Sequence, residues 1–172
     1  MNTDWRKVHI LFFTLMLVMF SNCWYYSFKG TLPPHIKNIA IPLFRDNTAE
    51  FNIQQIVTEQ IQLGFIRENI LKLVEEANSH SILTGIVESI TDNPLTYSAS
   101  NTGETVDEYR ITVKIKAEWY DLVEDKSMFN KQFSGYSEYD PSGGTDRTRE
   151  VALNEAIDNI TEDIINAILA GW

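Results

Sequence analysis

The sequence is short of the residues from which disulfides and metal sites are built. Cys23 is the only cysteine among 172 residues, so the chain cannot form an intramolecular disulfide. Beyond residue 22 there are only two histidines, His35 and His80, and their separation is not that of a metal-binding motif. We therefore expect neither a disulfide framework nor a bound metal or cofactor.

Positive charge is scarce as well. The chain has 14 Lys and Arg against 24 Asp and Glu, a net charge of −10. Nucleic-acid binding draws much of its affinity from basic side chains that neutralise phosphates. The composition therefore argues against nucleic acid as a partner. An acidic domain also binds an anionic membrane surface poorly, so any membrane attachment has to come from a lipid.

Catalytic motifs are missing from the sequence. No serine occupies the setting of a nucleophile elbow, so a Ser-His-acid triad has no support in the sequence. The adjacent acids Glu75 and Glu76, like Glu124 and Asp125, fall at predicted turns, where solvation explains them better than acid–base pairing. We expect a protein that is not an enzyme.

What the chain does have is the layout of an export signal. Two basic residues, Arg6 and Lys7, precede an apolar run at residues 8–20, and a short polar exit leads to Cys23. This order is typical of a secretory signal peptide. A membrane-spanning helix needs about 20 apolar residues. This run has only 13, so a span is disfavoured.

The position of Cys23 indicates that it carries a lipid. Phe20 and Ser21 fit a bacterial lipobox, whereas Asn22 is atypical, so ordinary cleavage with an incidental cysteine stays open as an alternative. A thioether to lipid would also remove a thiol that has no disulfide partner in an oxidising compartment. The expected organisation is a signal peptide at residues 1–22, a lipid-anchored tether at residues 23–35, and one domain at residues 36–172.

Hydrophobic periodicity predicts the elements of that domain. Apolar residues at every second position make residues 108–122 the clearest strand, with Ile111, Val113 and Ile115 on its buried face. The predicted elements are a strand at 36–44, a helix at 50–67, a short strand at 71–75, a strand at 81–90, a loop at 91–104, strands at 108–122 and 128–139, and a helix at 145–170. This order, β-α-β-β-β-β-α, favours an α+β fold with two helices on one face of a mostly antiparallel sheet of four to five strands.

The first predicted strand contains a proline. Ile39, Ile41 and Leu43 occupy alternate positions, so we expect them on one buried face. Pro42 cannot donate a hydrogen bond to a sheet ladder, and its position predicts a sheet edge or a bulge.

Polar residues before each helix predict the helix N-caps. Asn52 or Thr48 is expected to cap the first helix. Two glycines precede Thr145, where a helix N-terminus could bind an anion. We favour a turn followed by a cap at Thr145 or Asp146.

A basic strip, formed by Arg110, Lys114 and Lys116, is expected on the outward face of the long strand. Partial balance by Glu118 favours a plain solvated face over a binding surface. As a binding surface, the strip would suit an anionic glycolipid.

Several stretches of the chain form a recognisable pattern. It begins with Cys23, Tyr25, Tyr26, Ser27, Phe28 and Gly30, and continues through residues 32–42, LPPHIKNIAIP. It recurs in residues 65–69, FIREN, which lead into LKLV at 71–74, and in YRITV at 109–113. In these residues the chain resembles the LptE-type lipopolysaccharide-assembly lipoproteins.

The resemblance implies a location and a partner. Such proteins are tethered at the periplasmic face of the outer membrane, here through Cys23, and plug a large β-barrel translocon of the LptD type. They support its assembly and help to deliver lipopolysaccharide to the outer leaflet, a role that is not enzymatic. Trp24 stands where an aspartate commonly retains lipoproteins at the inner membrane, which agrees with outer-membrane sorting.

The resemblance also implies two regions of lipopolysaccharide contact, because some members bind it through basic side chains before the long strand and near the start of the last helix. Here the first region has no basic residue, and the second has Arg147 and Arg149. An alternative from another class is a periplasmic lipoprotein that uses its exposed sheet face to bind and regulate a cell-wall enzyme.

Overall fold

The computed structural model describes residues 32–100, 103–142 and 146–170. The predicted signal peptide, Cys23 and most of the tether lie outside the described residues, as do the two glycines before Thr145 and Thr145 itself. Within the described residues, neither α-helix combines the length and the apolar character that crossing a bilayer requires.

Six strands form one mixed sheet in the described part of the chain. They are β1 (Asn38–Ala40), β2 (Arg45–Asp46), β3 (Lys72–Leu73), β4 (Ser81–Ser100), β5 (Gly103–Asp121) and β6 (Lys126–Tyr139). The order across the sheet is β3-β1-β4-β5-β6, and β2 also pairs with β4. The three long strands are antiparallel neighbours, whereas the short strands pair in parallel. The predicted α+β fold is confirmed, with a sheet that is mixed rather than purely antiparallel.

Pro42 interrupts the first predicted strand. β1 and β2 pair with successive stretches of β4, so they lie in line along one of its edges, and the residues between them leave the ladder. This break also changes which side chains are buried. Ile39 and Ile41 lie in the core as expected, but Leu43 is 62% exposed and Phe44 is buried instead. Strict alternation cannot continue through a segment that departs from strand conformation.

The predicted loop at residues 91–104 is wrong. β4 continues to Ser100, and β5 begins at Gly103 and pairs with β4 along its whole length. Register shifts beside Pro94 accommodate a residue that cannot donate to the ladder. Because β6 pairs with β5 only from Tyr109 onward, residues 95–100 and 103–108 form a two-stranded arm beyond the rest of the sheet. At about 3.3 Å per residue, this arm is about 20 Å long.

Two α-helices pack on one face of the sheet. They are α1 (Ile53–Glu68) and α2 (Arg149–Leu169), and both begin later than predicted. Asn52 has a left-handed backbone and makes no side-chain cap, and Thr48 instead accepts a hydrogen bond from the N–H of Glu50. The cap of α2 is Thr148, whose side chain accepts a hydrogen bond from the N–H of Val151. Asn52 therefore occupies the predicted N-cap position of α1 without a side-chain hydrogen bond, whereas the predicted cap of α2 at Thr145 or Asp146 was wrong.

The inward face of β5 forms the centre of the hydrophobic core. Ile111, Val113, Ile115 and Trp119 are completely buried, as the alternation predicts. The helices cover them with a buried stripe each: Ile53, Val57, Ile61 and Phe65 from α1, and Leu153, Ile157, Ile160, Ile164 and Ile168 from α2. Gly135 of β6 lets α2 approach closely, because a Cβ atom there would overlap the carbonyl oxygen of Ala156.

A bulge in β4 changes the face that it buries. Leu83 and Val87 lie in the core, whereas Ile82 and Ile86 are only partly buried and lie on the opposite face. The register shift just after Val87 turns the strand, so that Ile90 packs against the core. Strict alternation would place Ile82, Ile86 and Ile90 on one face, and a bulge cannot be read from alternation.

Candidate functional site

The outward face of the sheet, opposite the helices, carries the predicted basic strip. Arg45 of β2 pairs with Ile86, Ile86 pairs with Lys116, and Lys116 pairs with Gln132 of β6. Directly paired residues project from the same face, so these side chains form one row across the sheet. Strands lie about 4.8 Å apart, which brings Arg45 and Lys116 within about 10 Å of each other at their backbones. Sequence reasoning missed Arg45 because only the strand pairing places it beside the strip.

Three cations on this face, Arg45, Lys114 and Lys116, are exposed and have no carboxylate partner within the described ranges. Glu88 and Glu118 on the same face accept hydrogen bonds from neutral side chains instead. A cleft of about 120 Å³ is lined by Arg45, Lys116 and Glu118 among others. These cations can therefore hold an anionic group such as a phosphate without breaking an existing ion pair.

Arg110 lies on the same face but already has a partner. Its guanidinium is 2.6 Å from the carboxylate of Glu138 and 4.7 Å from the centre of the Tyr136 ring. The hydrogen bond with Glu138 raises the pKa of Arg110. An anion at Arg110 would have to compete with Glu138, so Arg110 is the weakest member of the strip as an anion ligand.

Arg149 joins three parts of the chain. Its guanidinium donates to both carboxylate oxygens of Glu50, at 3.0 and 2.9 Å, and to both of Asp92, with a shortest contact of 3.0 Å. The Tyr139 hydroxyl donates to Asp92 at 3.0 Å. The hydrogen bonds with Glu50 and then Asp92 raise the pKa of Arg149. Lipopolysaccharide contact at Arg149 stays a prediction, and it would require displacing a carboxylate.

Arg147 is exposed just before α2. Its carbonyl accepts a hydrogen bond of 3.2 Å from the N–H of Asp140, which fixes the segment that leads into the helix. Its contact with lipopolysaccharide likewise stays a prediction. The anion site that residues 143–145 suggested lies outside the described residues, and α2 itself begins only at Arg149.

The described end of the tether is fixed to the end of β5. Nε2 of His35 lies 2.6 Å from Oδ2 of the completely buried Asp121, whose other oxygen accepts hydrogen bonds from the N–H groups of Val123 and Glu124. Burial opposes ionisation of Asp121, but these hydrogen bonds outweigh it and lower its pKa.

Ligand atoms of His35, Asp121 and Glu124 lie within 4.8 Å of one another, a spacing that could hold a metal ion. Both oxygens of Asp121 already accept hydrogen bonds, however. We therefore interpret the cluster as the junction of tether and domain. It lies at the opposite end of β5 from the two-stranded arm.

A family comparison covers most of the chain. The family model described as LptE, lipopolysaccharide-assembly, matches residues 36–168. This range contains all six described strands, α1 and all but the last residue of α2. No curated protein matches the chain significantly.

Solved structures share the fold at low sequence identity. The hypothetical protein CT253 from Chlamydia trachomatis has a TM-score of 0.56 and 8% identity, over 77% of this chain and 98% of that one. Protein XCC0632 from Xanthomonas campestris has a TM-score of 0.55 and 9% identity, over 81% and 90%. An uncharacterized lipoprotein B from Nitrosomonas europaea has a TM-score of 0.54 and 14% identity, over 81% and 84%. At such identities the likeness concerns the fold alone.

Proposed function

This chain belongs to the LptE lipopolysaccharide-assembly family, and we propose that it is a non-enzymatic lipoprotein that plugs and supports an LptD-type β-barrel of the outer membrane. The observation that carries this proposal is the extent of the family match, which includes both layers of the fold. The role fits a domain whose recognisable surfaces are charged strand faces and strand edges, to which another protein or a lipid head group can bind.

The proposed anchor is an acylated Cys23, which holds the domain at the periplasmic side of the outer membrane. Two or three acyl chains on one residue give stable attachment, whereas a single chain gives only marginal binding. Residues 24–34 separate Cys23 from His35, the point at which the tether is fixed to the domain. At about 3.5 Å per extended residue, this stretch spans at most about 40 Å. The domain therefore stays close enough to the membrane to enter a barrel from its periplasmic opening.

The proposed lipopolysaccharide contact on the sheet is the set of unpaired cations, Arg45, Lys114 and Lys116. The phosphates of lipopolysaccharide are anionic, and each of these side chains can bind one without losing a carboxylate partner. Arg110 and Arg149 stay secondary candidates, because carboxylates already bind their guanidinium groups. Arg147 stays a secondary candidate beside them.

A charge-reversal pair tests this contact. The double variant Lys114→Glu, Lys116→Glu should weaken binding to purified lipopolysaccharide by about 10-fold or more, since each charge near an anionic surface contributes about 1 kcal/mol. The control is Lys37→Glu, Lys72→Glu, which makes the same change in net charge at two other exposed lysines. Equal losses in both variants would indicate a general charge effect, and no loss in either would exclude the sheet face as the contact.

Depletion of the protein in its own host tests the wider proposal. The amount of folded LptD-type barrel and the lipopolysaccharide at the cell surface should both fall. Wild-type protein should restore both, and Cys23→Ser should restore them poorly if lipid attachment is required. A normal level of folded barrel after depletion would contradict the proposed role.

A further inference from the structure

At one end of β6 the backbone groups on its outer edge are hydrogen-bonded, whereas farther along the strand they have no partner among the described residues. β6 is the last strand in the sheet order, so one of its sides has no partner among the described strands. Alternate residues of an antiparallel strand direct both their N–H and C=O groups to the same side. The carbonyl of Tyr136 accepts a hydrogen bond from a side chain of α2, and the N–H of Asp140 donates to the segment before α2. The even-numbered residues of this stretch therefore direct their backbone N–H and C=O groups away from β5.

By the same alternation, the backbone N–H and C=O groups of Gln132 and Ser134 point away from β5, along the plane of the sheet at its free edge. No hydrogen bond to these four groups occurs within the parts of the chain that the structure describes. The side chain of Gln132 is engaged elsewhere, because its amide donates to Glu88 on the outward face of the sheet. The open edge thus presents two donors and two acceptors in the spacing of a β-ladder.

A groove lies beside this open edge, between β6 and the C-terminal half of α2. The groove is shallow and open to solvent, with a volume of about 410 Å³, and its apolar lining comes from Phe133, Ala167 and Ala170. A strand edge with an apolar groove between it and a helix is a geometry that binds extended peptides by strand addition. Backbone hydrogen bonds give such a complex its affinity, and alternate side chains entering the groove give it specificity.

The groove also carries charges without ionic partners. Nζ of Lys131 lies 5.4 Å from the ring centre of Phe129 and 5.1 Å from that of Phe133. Neither Lys131 nor Asp163 on the helix side forms an ion pair in the described residues. A carboxylate on the ligand would complement Lys131. A second copy of this chain is a poor occupant, because each copy carries a net charge of −10 and the two would repel.

We infer that the groove between β6 and α2 binds an extended segment of another protein, which adds to the sheet as a further strand beside β6. The segment places an apolar side chain against Phe133 and Ala167, and a carboxylate opposite Lys131. This inference does not depend on the proposed function, because it rests on the strand edge, the groove and its charges alone.

The test uses the full chain and a library of random ten-residue peptides displayed on phage, followed by synthetic copies of the enriched sequences. Enriched peptides should contain alternating apolar residues and at least one Asp or Glu. Their binding should slow hydrogen exchange at the amides of Gln132 and Ser134. Three outcomes would overturn the inference: no enrichment, protection confined to another part of the protein, or protection of these two amides by dimerisation without peptide.

Three variants separate strand addition from general damage. Ser134→Pro removes one outward N–H without removing a hydrogen bond to β5, and should weaken peptide binding by about 10-fold or more. Lys131→Glu should weaken binding of the acidic peptides to a similar degree. Lys72→Glu is the matched control, since it makes the same charge change as Lys131→Glu at an exposed lysine of β3, on the opposite edge of the sheet, and it should bind as the wild type does. If Ser134→Pro fails to fold, unchanged binding by Lys131→Glu together with unprotected amides refutes the inference.

Discussion

Replacing Arg149 with methionine should destabilise the fold measurably. The substitution removes two bidentate ion pairs and leaves the carboxylates of Glu50 and Asp92 close together without their shared cation. The three side chains are 38%, 31% and 28% exposed, so solvent screens the pairs and each is worth less than a buried one. At about 0.5–1 kcal/mol per partly exposed pair, the expected loss in the free energy of unfolding is about 1–2 kcal/mol. For a domain of this size that corresponds to a fall in Tm of about 3–8 °C.

Thermal unfolding followed by circular dichroism at low salt measures this loss. Lys114→Met is the matched control, because it removes an exposed cation without a carboxylate partner and should change Tm by less than about 1–2 °C. Combining Arg149→Met with Asp92→Asn should cost less than the sum of the two single changes, since both remove the same ion pair. A Tm for Arg149→Met equal to that of the control would refute the structural role assigned to Arg149.

Three further predictions concern the core and the tether junction. Because hydrogen bonds lower the pKa of Asp121 in the folded state, its stabilisation is fully present above its unfolded pKa of about 3.9 and is lost as pH falls through the lowered value. Asp121→Asn should therefore flatten the fall in unfolding free energy below about pH 4 in acid titrations, and an unchanged slope would contradict the assignment. Gly135→Ala should cost about 2–3 kcal/mol in urea unfolding, because its methyl group would meet the carbonyl oxygen of Ala156; a neutral result would mean that α2 can shift freely. The indole N–H of Trp119 is buried and has no hydrogen-bond partner among the described residues, so Trp119→Phe should cost clearly less than the about 3–5 kcal/mol expected for Trp119→Ala, and equal costs would argue against the unpaired donor.

Periodicity predicted the core better than composition predicted the loops. The alternation around Ile111 and Val113 identified the buried face of β5 correctly, because an uninterrupted period of two leaves one choice of face. Residues 91–100 contain proline, serine and asparagine and were predicted as a loop, yet they lie in β4. Their conformation is set by pairing with β5, which is a non-local property. Phe44 replaced Leu43 in the core for a similar reason, since the break at Pro42 ends the alternation.

Sequence reasoning identified charged side chains only one at a time. The structure was needed to show which residues lie beside them. Arg149 was predicted as an anion ligand, and the fold shows that Glu50, 99 positions away, and Asp92, 57 positions away, already bind its guanidinium, so an anion there would have to displace a carboxylate. Arg45 joined the basic strip through strand pairing. The open edge of β6 depends on which residues point outward, and that follows from strand register rather than from residue type.

The most direct test of the proposed role is co-purification from outer membranes solubilised in a mild detergent. Full-length, lipidated protein with a C-terminal affinity tag should bring down a large β-barrel protein of the LptD type, and the two should run together in size-exclusion chromatography. The Cys23→Ser variant provides the unlipidated comparison. Recovery of the lipidated protein as a free monomer, with no barrel in the same fraction, would contradict the account.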